Sequence, residues 1–508
     1  MNPMIKESLI VAPRQDALSE SSYAQGHSAL LEIPTYRERV IACWLGKAVG
    51  GTLGMPFEGV DGPLELSFYE PVPTEMLPND DLDLQVVWAC VLDRMSQPNV
   101  DRHVLAKAWQ EHVEFPWDEY GVALRNMANG LQPPLSGSHD NWFVNGMGAP
   151  IRSEIWACLA PGNPALAAAY AYEDACVDHA GEGIYGEMFF AALQSMAFVE
   201  SDVDVLLDGA LETLPESSSI RRAIEDTRRW WLQSGDWMEV RDLILRGYGH
   251  ENFTDATMNV AFTILGWIAS EGDFSKAICI AVNCGKDTDC TGATVGALMG
   301  IVAPDCIPSK WLAPIGRDLV LSPGIIGLNA PDTLDGFTDL VLKLRDRLAG
   351  QWPTATSDEQ SVEHLKVSAE IAFAPTADAS AISDFRTVVF DGTFATWPIA
   401  QFEDEFLVVR YNFSIPEARE VMVLFNTPTQ SRVSVDGELL FERGEGRMAP
   451  SFHRAPSNQF GNVTLTAGEH SITATLRRPS KGDVAQWVVG VGDPESKQWL
   501  PHVLPQIG

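Results

Sequence analysis

The side chains in this sequence best suited to catalysis or metal binding lie in two short acidic stretches. Asp80 and Asp81 are adjacent in NDDLD, and Asp287 and Asp289 are one residue apart in DTDCT. Crowded carboxylates repel one another unless protons or a cation relieve them, and Mg²⁺ prefers oxygen ligands of this kind. A third acidic residue, Glu58, follows GKAVGGTLGMPF. The pattern therefore indicates a metal site.

Both acidic pairs also stand directly before apolar segments of helical type. Free backbone N–H groups and the helix dipole favour a carboxylate at a helix N-terminus, so one aspartate there is often only a cap. Two capped helices are therefore the alternative to a metal site, and the residues alone leave both open.

Glycines spaced four residues apart accompany two of the acidic positions. Such a series gives a helix a smooth face that another backbone can approach closely. Packing of the two faces would bring Glu58 together with Asp287 and Asp289. The two series are Gly46, Gly50 and Gly54, and Gly292, Gly296 and Gly300.

The hydrophobic periodicity divides the chain into two structured regions. Apolar residues recur at helical spacing over residues 36–349, which predicts an all-α domain. The segment 350–383 is polar and is interpreted as a linker with a short strand, and residues 1–35 as a flexible tail. Over residues 384–508 the period is two, with Asp436-Gly437 and Ala467-Gly468 as hairpin turns, which predicts a β-sandwich. This β-module is either a sugar-binding part or a structural or dimerisation module.

Composition limits the partners and the compartment. The net charge of −34 disfavours nucleic acid and anionic membranes. The eight cysteines form no CxxC pair and are interpreted as buried thiols, which favours a reducing, cytoplasmic location. No apolar run is long enough to predict a membrane span, and the N-terminus lacks a sustained apolar core, so no secretory signal is expected.

At its motifs the chain resembles the ADP-ribosylglycohydrolase family, which includes the dinitrogenase reductase-activating glycohydrolases. The resemblance covers residues 36–350 with the motifs in the family's order. The segments that carry it are Gly50–Gly54 with Glu58, Asn79–Leu82, Gly146–Arg152, the region of His179, Gly285–Gly300, and Ile307, Pro308 and Trp311.

The resemblance implies an all-α ADP-ribosylglycohydrolase-like domain with two Mg²⁺ ions, which hydrolyses an N- or O-glycosidic bond to a ribose-like sugar. Carried over by position, the implied metal ligands are Asp80, Asp81, Asp287, Asp289 and Thr291. The implied catalytic carboxylates are Asp81 and Glu58, and a metal ligand is the alternative role for Glu58. The implied substrate-binding residues are Gly146, Met147, Gly148 and His179, and a structural role is the alternative for His179.

Several positions depart from the family's pattern. Gly51 stands in place of an aspartate, Met147 in place of an asparagine, and Cys290 in place of a threonine. Because a thiol is a poor Mg²⁺ ligand, Thr291 is taken as its substitute. Asp83 is a further candidate carboxylate. Asn79 and Leu82 replace two further threonines.

The departures leave three functions open. The first is hydrolysis of an ADP-ribosyl conjugate, small or protein-linked; the second is hydrolysis of a non-nucleotide glycoside or nucleoside in sugar catabolism; the third is an inactive, family-derived binding protein. A homo-oligomer formed through the β-module is a further hypothesis.

Overall fold

The computed structural model describes residues 33–354, 360–378 and 382–504. The flexible tail predicted over 1–35 therefore lies almost entirely outside the described residues. The described chain forms two compact units: the first contains the residues up to Glu114 and from Val144 to 354, and the second contains Phe115–Phe143 and the residues from 360 onward.

The first unit is built from helices, which confirms the all-α prediction. In chain order, and including α4 and α5 of the second unit, the helices are α1 (Ile33–Gly54), α2 (Asp80–Arg94), α3 (Arg102–His112), α4 (Asp118–Ala128), α5 (Leu135–Ser138), α6 (Glu154–Leu159), α7 (Pro164–Ala175), α8 (Glu182–Ala197), α9 (Val203–Leu211), α10 (Ser219–Ser234), α11 (Trp237–Tyr248), α12 (Ala256–Ala269), α13 (Phe274–Asn283), α14 (Thr288–Val302), α15 (Ser309–Ile315) and α16 (Leu334–Leu348).

Helices α1 and α14 pack antiparallel with their backbones in direct contact. A Cβ added to Gly50 would overlap the carbonyl oxygen of Gly292, and one added to Gly46 would overlap that of Gly296. The same holds for Gly54 against Thr288. The close backbone approach predicted from the glycine spacing is therefore confirmed, and it places the end of α1 beside the start of α14.

Helix α1 lies in the core of the first unit, and most of its surface is therefore apolar. Thr35–Phe57 is long and apolar enough to cross a membrane by length and composition, contrary to the expectation that no run would be. However, 83% of its apolar window is buried inside the protein, as expected for a helix surrounded by others.

The second unit contains two antiparallel sheets, which confirms the β-sandwich prediction. The strands are β1 (Val367–Ala374), β2 (Arg386–Phe390), β3 (Phe394–Pro398), β4 (Phe406–Ile415), β5 (Arg419–Asn426), β6 (Ser431–Val435), β7 (Glu438–Arg443), β8 (Phe460–Leu465), β9 (Gly468–Arg477) and β10 (Val484–Gly492). Their order is β2-β1-β4-β9-β6-β7 in one sheet and β3-β10-β5-β8 in the other. Tyr411 and Trp487 are buried in the core and joined by a hydrogen bond of 2.8 Å.

Two details of the second unit refine the sequence interpretation. Asp436 and Gly437 have positive φ and join β6 to β7, as the predicted hairpin requires. The turn at Ala467-Gly468 instead connects β8 to β9, which lie in different sheets, so the hairpin predicted there is wrong. Strand β1, inside the interval interpreted as a linker, is paired on both edges with β2 and β4.

Residues 115–143, which the sequence assigned to the helical domain, pack with the strands of the second unit. Asp140 Oδ2 accepts hydrogen bonds from Thr393 N (2.8 Å) and Thr393 Oγ1 (2.7 Å), and its Oδ1 accepts one from Phe394 N (2.7 Å). Arg125 Nη2 lies 3.0 Å from Asp140 Oδ2. Helical periodicity cannot show which unit a helix joins, because it reports only that one face is buried.

Candidate active site

The helix ends of the first unit bring three of the predicted carboxylates together. Glu58 directly follows a single turn of 3-10 helix, Met55–Phe57, that extends α1. Asp287 is the residue before α14, and Asp289 lies in its first turn. Ligand atoms of these three residues all lie within 4.8 Å of one another. Asp287 and Asp289 are buried, whereas Glu58 is exposed.

A second group shares Asp289 with the first. Asp81, Asp289 and Cys290 each offer an atom within 4.8 Å of the others, and all three residues are buried. Asn79 links the two segments: its Oδ1 accepts from Asp81 N at 2.9 Å and its Nδ2 donates to Asp289 Oδ2 at 3.3 Å. Asp80, the first residue of α2, is partly exposed beside this group.

Capping does not account for the aspartates. The N-cap of α2 is Asn79, whose side chain accepts from the helix backbone. Asp287 occupies the N-cap position of α14 but makes no side-chain capping hydrogen bond there. The helix-cap alternative is therefore weakened.

The electrostatics of the group fit a bound cation. Burial, followed by the nearby charges of Glu58 and Asp287, raises the pKa of Asp289 well above its usual range. Asp289 Oδ1 is buried and accepts no hydrogen bond from the described residues, which is costly for a carboxylate. A divalent cation would satisfy this oxygen and relieve the repulsion, so Glu58, Asp287 and Asp289 fit a hard metal ion.

Other candidate ligands lie less favourably. The Thr291 hydroxyl donates to the carbonyls of Thr288 (3.2 Å) and Ala281 (3.5 Å), and its role as a metal ligand stays a prediction. Asp83 Oδ2 accepts from Ser322 N at 3.2 Å, and burial raises the pKa of Asp83 to about 8. One oxygen of Asp83 is therefore bonded to a neighbouring loop, whereas its Oδ1 is buried and accepts no hydrogen bond from the described residues. Burial also raises the pKa of the Cys290 thiol.

Lys47 is not among the site residues predicted from the sequence, yet its ammonium group is buried beside the acidic cluster. Its Nζ lies 3.1 Å from Glu154 Oε2 and 3.5 Å from Asp81 Oδ1. Burial raises the pKa of Asp81 to about 7 although Lys47 opposes the rise. The sequence does contain a signal for this ion pair, which is the single lysine within the apolar stretch VIACWLGKAVGG. A lysine inside a core helix needs a buried partner of opposite charge.

The predicted substrate-binding residues occupy buried positions. Gly146 forms an isolated backbone bridge with Asp255, and Met147 is only 1% exposed. The Gly148 carbonyl accepts a hydrogen bond from Arg152 Nη1 at 2.8 Å. His179 is fully buried, with Nδ1 2.9 Å from Asp178 Oδ1, which favours the structural alternative for this histidine.

Together these features define a helical unit with a group of carboxylates, most of them buried, where three helix ends meet. The sequence model of the ADP-ribosylglycohydrolase family matches residues 32–352, more than half of the chain. The chain therefore belongs to the ADP-ribosylglycohydrolase family, a family of glycohydrolases that are generally metal-dependent. No curated protein matches the sequence.

Three solved structures illustrate the similarity, each at low sequence identity to this chain. An ADP-ribosylglycohydrolase-related protein complex contains a chain that is 20% identical, with a TM-score of 0.44; the match covers 62% of this chain and 99% of that one. An anti-sigma factor domain-containing protein from Clostridium clariflavum is 11% identical, with a TM-score of 0.19; the match covers 28% and 49% of the two chains. The GH31 alpha-xylosidase from Xanthomonas citri is 11% identical, with a TM-score of 0.17 and coverage of 28% and 16%.

Proposed function

We propose that the helical unit is a Mg²⁺-dependent glycohydrolase that cleaves an N- or O-glycosidic bond to the ribose of an ADP-ribosyl conjugate. The observation that carries the proposal is the gathering of Glu58, Asp287 and Asp289 within 4.8 Å in a chain of a glycohydrolase family. Mg²⁺ is proposed because all three residues offer carboxylate oxygens.

Glu58, Asp287 and Asp289 would hold the cation. When bound, a divalent cation polarises sugar hydroxyls and lowers the pKa of bound water. Asp289 supports this assignment because one of its buried oxygens has no hydrogen-bond donor among the described residues. Asp80 lies at the partly exposed edge of the site and is proposed as a further ligand.

Within this proposal one oxygen of Glu58 holds the cation and its other oxygen is the general base. Glu58 is the exposed carboxylate of its group, so water can reach it, whereas Asp81 Oδ1 faces the ammonium of Lys47. Glu58 accepts a proton from the attacking water, the oxygen of that water bonds to the anomeric carbon, and the glycosidic bond breaks. The leaving group then takes up a proton, which completes the addition of water across the bond.

One observation favours the second candidate, a non-nucleotide glycoside or nucleoside. The diphosphate of ADP-ribose calls for positive charge or free N–H groups. Lys47 is a cation that lies beside the acidic cluster, and it is buried against Asp81 and Glu154. It is therefore not available to a diphosphate. In the third candidate, an inactive binding protein, the cation would bind without turnover.

The test is turnover by the full chain after metal removal and Mg²⁺ addition. The substrates are peptides ADP-ribosylated on arginine or serine, with a nitrophenyl riboside for the second candidate. Release of ADP-ribose that requires Mg²⁺ and falls at least about 100-fold in Asp289→Asn and Glu58→Gln supports the proposal. The matched control is Glu65→Gln, an exposed carboxylate in the same loop region, which should keep full activity.

The outcomes separate the candidates. Cleavage of the riboside without release of ADP-ribose would favour the second candidate. Cation binding with no turnover of either substrate would favour the inactive protein. Turnover that is unchanged after metal removal and in Asp289→Asn would contradict the metal-dependent reaction altogether.

We also propose a reducing, cytoplasmic setting and a homo-oligomer formed through the β-sandwich unit. The eight cysteines are free thiols in the structure, which is compatible with a reducing compartment. Light scattering of the full chain measures the oligomeric state, and a monomer at micromolar concentration would contradict the oligomer.

A further inference from the structure

Lys47 places a fixed positive charge inside the acidic cluster. Its side chain is 0% exposed, and its Nζ contacts Glu154 Oε2 and Asp81 Oδ1. An ammonium group held this close to two carboxylates forms buried ion pairs, which keep it charged.

The partners of Lys47 are themselves held in place. Glu154 Oε2 accepts from Gln85 Nε2 at 2.9 Å, and Glu154 Oε1 accepts from Gln194 Nε2 at 3.1 Å. Gln85 Nε2 also donates to the Asp81 carbonyl at 2.7 Å. Because each contact is buried and hydrogen-bonded, an incoming cation could not displace the ammonium without breaking the whole network.

The two groups of ligand atoms consequently differ in what they can bind. Glu58, Asp287 and Asp289 all provide carboxylate oxygens. The other group consists of Asp81, Asp289 and Cys290. Its thiol is a poor Mg²⁺ ligand, its Asp289 is shared with the first group, and its Asp81 already faces an ammonium group. A second divalent ion there would be repelled by Lys47.

We propose that this chain binds one divalent cation, at Glu58, Asp287 and Asp289, and that the Lys47 ammonium replaces a second cation beside Asp81. This inference rests on the proposed function, because it concerns the metal site of the same reaction. Asp81 keeps one oxygen, Oδ2, that accepts no hydrogen bond from the described residues. This oxygen would accept a hydrogen bond from a water or a sugar hydroxyl rather than bind a metal ion.

The first test counts ions on the full-length wild-type protein. The metal-stripped chain is dialysed against Mn²⁺, the bound Mn²⁺ per chain is measured, and the electron paramagnetic resonance spectrum is recorded. One Mn²⁺ per chain with the spectrum of an isolated ion is expected. Two Mn²⁺ per chain with a spin-coupled spectrum would overturn the proposal. Asp287→Asn should weaken Mn²⁺ binding at least tenfold, and Glu65→Gln should leave it unchanged.

A double variant tests the role assigned to Lys47. Lys47→Met removes the ammonium group at similar length, and Cys290→Thr supplies a hydroxyl oxygen in place of the thiol. Together they should raise the count from one Mn²⁺ to two. A folded double variant that still binds one would overturn the role of Lys47. If this variant does not fold, the wild-type count still decides.

The ion count also separates this inference from the proposed function. Two ions with Mg²⁺-dependent turnover would remove the single-ion inference and keep the hydrolase. No bound ion together with no turnover would remove both. One ion with turnover that depends on it would support both.

Discussion

Arg152 is the centre of a buried ion-pair network that holds the glycine loop of the first unit. Its Nη2 lies 2.6 Å from Asp178 Oδ1, and its Nε lies 3.0 Å from Asp174 Oδ1. The same guanidinium donates to the Gly148 carbonyl. All three charged side chains are 0% exposed. The loop that the family resemblance assigns to substrate binding is thus held by a charge network as well as by its buried apolar residues.

Removing one partner of this network should be costly. Asp178→Asn leaves Arg152 with one buried carboxylate fewer, and loss of one member of a buried pair typically costs about 3–5 kcal/mol. We expect the free energy of unfolding in urea to fall by about this amount. The control is Asp339→Asn, whose side chain is 67% exposed in its pair with Arg37 and whose pair is worth less than about 1 kcal/mol. Equal losses in both variants would contradict the role of the buried network.

The same aspartate predicts an acid-dependent loss of stability. Burial raises the pKa of Asp178, but Arg152 and His179 outweigh it, and the pKa falls to about 2. The pKa of Asp178 in the folded state lies below the unfolded value of about 3.9. Asp178 therefore makes its full contribution to the free energy of unfolding above a pH of about 4. This contribution is lost as the pH falls toward 2, by roughly 2 kcal/mol. Unfolding measured against pH should show this loss in the wild type and not in Asp178→Asn.

At the scale of elements, the contact between α1 and α14 depends on glycine. Gly50→Ala or Gly292→Ala would drive a methyl group into the facing backbone, and overpacking of this kind costs about 1–3 kcal/mol or more. We expect a loss of at least about 2 kcal/mol in chemical unfolding. Gly247→Ala in α11 is the control, because its Cβ would lie 3.6 Å from Trp230. It should be neutral or stabilising by up to about 1 kcal/mol.

The glycine contact also shows what the sequence could reveal. The four-residue spacing predicted that α1 and α14 would meet, because that spacing leaves one helix face without side chains. The pairing of Lys47 with Glu154 was not predictable, because a distance of 107 positions along the chain carries no periodic signal. Likewise, alternation predicted strands β8 and β9 but not that they lie in different sheets, because sheet membership depends on partners remote in sequence.

At the scale of the whole molecule, the second unit is assembled from separated parts of the chain. Residues 115–143 supply Arg125, Asp140 and Trp142 to a unit whose strands begin at Val367. Trp142 packs against a cluster of buried residues that includes Met422 and Trp499. A cut at the predicted boundary of 383 and 384 would therefore remove part of the core as well as β1.

This arrangement predicts how fragments behave. A fragment of residues 360–508 alone should show no cooperative thermal transition, because Thr393 and Phe394 lose the carboxylate that accepts their hydrogen bonds. The same fragment joined to residues 115–143 by a flexible linker should unfold cooperatively. Asp140→Ala in the joined fragment should lower the midpoint by several degrees. A stable fragment of 360–508 without residues 115–143 would contradict the shared core.

The discontinuous second unit also sets an order of events during synthesis. Asp140 leaves the ribosome 253 residues before Thr393, which corresponds to roughly 10–50 s at about 5–20 residues per second. Throughout that interval α4 and α5 are made but have no strands to pack against. The nascent chain must therefore carry the exposed apolar surface of residues 115–143 while the segments that flank them in sequence fold into the helical unit.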